Sequence, residues 1–95
     1  MTGWTFDQPR NVACITCRSV VDGQPVLVVT HYEDDHSWAF LDGSEPDDAT
    51  ALLVAMSTVV DRHPDLHDIS DLPPGWSAKR DAAGQPWSMR QLSEG

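Results

Sequence analysis

The chain reads as an α+β domain, an antiparallel sheet of four or five strands with one main helix on one face, in the order β-β-β-α-β. Three observations predict this. Short β-branched or aromatic runs alternate with turn residues up to Leu41. A long aliphatic stretch with helical spacing follows. A Leu72-Pro73-Pro74-Gly75 corner then leads into another short alternating run. At 95 residues the chain supports one domain and one modest core.

The first strand is read over Val12–Val21, which is rich in β-branched residues. Asp22-Gly23 follows, a dipeptide common in tight hairpins. Pro25–His31 reads as a second strand, apolar at consecutive positions and so central in the sheet. After the acidic turn at Glu33, Asp34 and Asp35, Trp38–Leu41 reads as the third. Short turns make these three strands a meander.

The ten residues from Ser37 to Pro46 organise the rest. They supply strand bulk, a turn at Asp42-Gly43, then a cap at Ser44 or Glu45 before Pro46. The spacing predicts a helix from about Pro46 to Arg62. Ala49, Leu52, Leu53, Met56, Val59 and Val60 share a face, and Asp47 and Asp48 suit the first turn. Its other flank carries Ala51, Val54, Ala55 and Thr58, an apolar surface that offers a homodimer contact. His63-Pro64 ends it. Pro64–Asp71 suits one more helical turn with Leu66 and Ile69 inward. Trp76–Arg80 reads as the next strand, and Pro86–Met89 as an edge segment. Residues 1–11, with Trp4 and Phe6, read as an arm, either along a sheet edge or floppy, and residues 90–95 as a loose tail.

Fifteen acids face six bases, a net charge of −9. That field repels phosphate backbones, which excludes nucleic acid as a partner, and it attracts basic proteins. No apolar run approaches the roughly 20 residues of a membrane span, and the N-terminus lacks the pattern of a signal peptide. The expectation is a cytoplasmic protein with reduced cysteines.

Cys14-Ile15-Thr16-Cys17 is a C-x-x-C sequence. Inside a strand, its Cα atoms stand about 10 Å apart with side chains on opposite faces, whereas a disulfide needs about 7 Å or less. Zinc ligation by Cys14, Cys17, His63 and His67 is the alternative reading, because these are the residue types of a structural site. The gap between the two pairs is longer than in a zinc finger. The turn at His31, Glu33, Asp34, Asp35 and His36 lacks the spacing of a calcium loop. No nucleophile elbow, phosphate-cradling glycine loop or His-Glu-x-x-His occurs. The reading is therefore a binding domain that is not an enzyme and needs no cofactor. Its contact candidates are Glu33, Asp34, Asp35, Asp47 and Asp48, joined by Trp76 and Trp87, whose rings suit interface anchors.

One sequence order carries a resemblance: a cysteine-bearing first strand, Trp38-x-Phe40-x-x-Gly43-x-Glu45, a helix, then Asp71-Leu72-Pro73-Pro74-Gly75-Trp76. It resembles small bacterial domains of unknown function that include immunity proteins of polymorphic toxin systems. The resemblance covers about residues 12–80 and implies a non-enzymatic α+β domain that binds another protein. It carries over no catalytic residue. The longer N-terminal arm and the Trp87 segment depart from the pattern.

Overall fold

The computed structural model describes residues 6, 8–34, 36–43 and 51–92. Within these the chain is α+β, with a six-stranded mixed sheet and three short helical segments. The strands are β1 (Ala13–Cys17), β2 (Val28–His31), β3 (Trp38–Leu41), β4 (Ala51–Ala55), β5 (Trp76–Lys79) and β6 (Ser88–Gln91). Helix α1 is Arg18–Val21, α2 is Met56–Val60, and Pro64–Ile69 forms a 3-10 helix. The sheet order is β4-β1-β3-β2-β5-β6.

Arg90 and Gln91, expected in a loose tail, belong to β6, and three larger expectations are corrected. The first strand stops at Cys17, and Arg18–Val21 turns helical. Asp22-Gly23 is accordingly a helix C-cap and not a hairpin turn. Gly23 has φ +112°, its N–H donates to Val20 O, and Gln24 N–H donates to Ser19 O. This is the Schellman closure, in which glycine takes the left-handed position. The strands also do not form a meander. β3 lies between β1 and β2, and it pairs with β1 in parallel, Ile15 beside Ala39 and Thr16 beside Phe40. The Thr16 hydroxyl donates to Phe40 O at 2.7 Å, a buried side-chain rivet across that parallel junction.

The third correction concerns the long helix expected from Pro46 to Arg62. Ala51–Ala55 is a strand antiparallel to β1, and only Met56–Val60 is helical. The expected cap at Ser44 to Pro46, and Asp47 and Asp48, lie outside the described residues. The first amides of α2 are satisfied by backbone: Met56 N–H donates to Val12 O, and Ser57 N–H to Arg10 O. The 3-10 helix starts with proline after a non-helical His63 (φ −128°, ψ 72°) and buries Leu66 and Ile69, as the sequence suggests.

The register assigns each strand residue to a face, because directly paired residues point the same way. One face carries Cys14, Thr16, Val29, His31, Trp38, Phe40 and Ala78, all buried. The helical segments join it through Val20, Met56, Val59, Val60, Leu66 and Ile69. Burying each of the larger of these side chains contributes roughly 1.5–3 kcal/mol. Phe6 joins the same core, edge-on to Trp38 at 4.9 Å and to Phe40 at 6.1 Å. Phe6, expected along a sheet edge, therefore lies on the core; Trp4 is outside the described residues. The opposite face, with Ile15, Val28, Thr30 and Leu41, is half-exposed. Among the described residues no helix is long and apolar enough to cross a membrane.

Candidate functional site

One end of the sheet gathers acids and aromatic rings. β2 ends at His31, and the chain turns back through Tyr32, Glu33 and Asp34 into β3. Tyr32 N–H donates to Ser37 O at 2.8 Å and closes that turn. His36 takes φ +61°, a left-handed position. The Asp71–Gly75 corner packs beside it. The buried His31 ring donates from Nδ1 to Leu72 O at 2.7 Å, since a carbonyl only accepts. Gly75 N–H donates to His31 O at 2.7 Å. The His31 ring stacks on Trp38, with centroids 3.9 Å apart. These bonds fix the corner against the end of β2.

Gly75 sits at φ +87°, and a Cβ there would meet Glu33 Oε1 at 3.3 Å. The Glu33 side chain thus lies along the corner, next to the residue that starts β5, Trp76. Trp76 is half-buried and packs against the core. Tyr32 is 39% exposed, and Pro73, Pro74, Glu33, Asp34 and Asp71 are all exposed. Among the described residues Glu33, Asp34 and Asp71 have no ion-pair partner. Five of the chain's six cations are placed elsewhere. Arg10 pairs with Asp61 at 2.7 Å, Arg80 pairs with Asp65 at 2.6 Å, and Arg62 reaches Asp22 O. Lys79 and Arg90 share the outer face of the β5–β6 hairpin.

The structure therefore brings together Glu33, Asp34 and Trp76 from the sequence candidates. It adds Tyr32, Asp71 and the two prolines, which sequence reasoning passed over. Their signal was present: Tyr32 directly precedes the acidic turn, and Asp71 directly precedes the rigid corner. Asp35, Asp47 and Asp48 lie outside the described residues. Trp87 belongs to the far end of the hairpin. It is half-buried, and the Arg80 guanidinium covers its ring at 4.2 Å. Its indole N–H has no hydrogen-bond partner among the described residues.

The four potential zinc ligands are dispersed into separate roles. Cys14 and Cys17 are both free and leave β1 on opposite faces. Burial pushes the Cys14 thiol up to about 12, and the Cys17 Sγ stands 3.4 Å from the Ser19 hydroxyl. The buried His63 donates from Nε2 to Val20 O at 2.9 Å. His67 lies against the Phe6 ring at 5.6 Å. Among the described residues no three His, Cys, Asp or Glu side chains group to hold a metal ion.

A recess of about 530 Å³ occupies the outer face of the β5–β6 hairpin, lined in part by Lys79, Gln85, Ser88 and Arg90. All four side chains are exposed, so nothing there holds them in one geometry. The acidic end differs, because its backbone is pinned by His31 and Gly75. Compared with protein-family models, curated proteins and solved structures, the chain matches none.

Proposed function

We propose that this chain is a protein-binding domain, of the immunity-protein kind, that docks a basic partner surface on the end of its sheet. The observation that supports the reading is the juxtaposition of Glu33 and Asp34, without an ion-pair partner among the described residues, with Tyr32 and Trp76 on a pinned corner. Tyrosine and tryptophan are the residues that most often dominate interface energy, and they lose little rotamer freedom on binding. The carboxylates supply steering: a −9 chain accelerates encounter with a cationic surface, and the gain falls as salt rises.

The test is capture from extract of the source cell on immobilised protein, washed at increasing salt. The reading expects a specific protein retained at low ionic strength and released as salt rises. The double variant Glu33→Lys, Asp34→Lys should slow its association by roughly ten-fold or more. A Lys79→Glu change on the outer face of the hairpin should leave it bound. Capture that is indifferent to the charge reversal, or no partner at any salt, would sink the proposal.

A further inference from the structure

The two edges of the sheet are unlike. β6 at one edge is Ser88-Met89-Arg90-Gln91, exposed throughout, with a charge on the strand and Pro86 just before it. Those are the devices that keep an edge from pairing. β4 at the other edge is Ala51-Leu52-Leu53-Val54-Ala55, with no charge, no proline and no break in its register with β1. Leu53 is 74% exposed, the most of any large apolar side chain among the described residues.

The hydrogen-bond phase of β4 follows from its end. Met56 N–H donates to Val12 O at 2.8 Å, which continues the β4–β1 register by one residue. In an antiparallel pair the bonding residues alternate. The even-numbered residues of β4 therefore bond to β1, and Ala51, Leu53 and Ala55 turn their N–H and C=O groups outward. Among the described residues no strand lies beyond them.

From this we infer that β4 is a homodimer edge, at which a second copy of the chain pairs antiparallel about a two-fold axis through Leu53. The sequence is almost its own reverse. In that register Ala51 faces the partner's Ala55, Leu52 faces the partner's Val54, and Leu53 faces its own symmetry mate. Leu53 and both alanines exchange paired N–H···O bonds with their opposites, so the outward backbone groups are all used. On the outer face, the two Leu53 side chains cover each other and continue the apolar line of Leu53, Ile15 and Ala39 through the dimer. Charge agrees: two chains of −9 repel, and this edge is uncharged where they would meet. A single strand pair buries less than the roughly 1,200 Å² of a stable complex. The dimer is therefore weak, with a dissociation constant on the order of 10–100 μM.

The experiment uses the purified chain alone, so it does not depend on the acidic end. Sedimentation velocity across micromolar to millimolar concentration should show the mass rising from 10.5 kDa toward twice that value. Leu53→Lys puts two cations opposite each other and should weaken association at least ten-fold, while its unfolding midpoint stays at the parental value. Leu53→Cys in a Cys17→Ser background should form an interchain disulfide in oxidised glutathione. Opposite residues of a bonded pair stand about 5.5 Å apart at Cα, within disulfide range. A Ser88→Cys control on the other edge should cross-link at least ten-fold more slowly. A chain that stays monomeric throughout overturns the inference, even if a different protein takes the edge. So does a dimer that tolerates Leu53→Lys or fails to cross-link at position 53.

Discussion

Arg80 shows how a buried cation is held here, and the structure assigns its partners unequal weight. The residue is 7% exposed. Its Nε donates to Val26 O at 3.1 Å, its guanidinium lies 4.2 Å above the Trp87 ring, and Nη2 meets Asp65 Oδ2 at 2.6 Å. The Asp65 side chain is 42% exposed, so water screens that pair and it is worth at most about 1 kcal/mol. The charged hydrogen bond to Val26 contributes roughly 1.5–3 kcal/mol and the ring contact about 1 kcal/mol. Arg80→Met loses these but also removes the cost of desolvating a cation, which is several kcal/mol. The net expectation is a loss of roughly 1–2 kcal/mol, read as a fall of about 1 M in the urea midpoint. Asp65→Asn should cost less than about 1 kcal/mol, because water replaces the carboxylate while Val26 and Trp87 still hold the guanidinium. Equilibrium urea unfolding of both variants decides it. If Asp65→Asn costs as much as Arg80→Met, the ion pair is the anchor and the reasoning is wrong.

Gly75→Ala forces a left-handed backbone on alanine and should cost about 1–2 kcal/mol, or roughly 4–8 °C per kcal/mol in melting temperature. Because the Glu33 tip can move aside, adding Glu33→Ala should not restore stability; full rescue would mean that a clash dominates. Thr16→Val deletes the buried bond to Phe40 O and should cost about 1–2 kcal/mol in thermal unfolding, a result inconsistent with a sheet in which β1 does not touch β3. The Cys14 thiol should resist alkylation at pH 8 in the folded chain while Cys17 reacts, as mass mapping would show. The linkage follows from the same shift. The folded value, about 12, lies above the ordinary 9.0, so stability is full below pH 9 and declines as pH rises toward 12. The slope is about 1.4 kcal/mol per pH unit, and Cys14→Ala should abolish it.

Short elements bounded by local chemistry were legible in the sequence. Trp38–Leu41 lies between an acidic turn and Asp42-Gly43, Trp76 follows Pro-Pro-Gly, and Pro64 opens its 3-10 helix as the rules for proline require. What was not legible depends on partners far along the chain. Leu52, Leu53, Met56, Val59 and Val60 satisfy a helical period, yet the first half of that run pairs with β1. A five-residue apolar stretch fits either structure, and the free edge of β1 decides. Asp22-Gly23 marked a real reversal, but its type depended on whether the residues before it were extended or helical. With Arg18–Val21 in α1, no tight hairpin joins β1 to β2, and β3 lies between them. The candidate site was half visible for the same reason. Glu33, Asp34 and Trp76 stand out by type, whereas their meeting with Tyr32 and Asp71 follows from His31 reaching across to Leu72.

The central claim is that the end of the sheet holding Tyr32, Glu33, Asp34 and Trp76 is where another protein lands. Amide hydrogen exchange on the captured complex reads it directly. The account predicts new protection confined to Tyr32–Asp34 and to Asp71–Trp76. Protection over α2 or across β6, with these two segments exchanging as in the free chain, would contradict it.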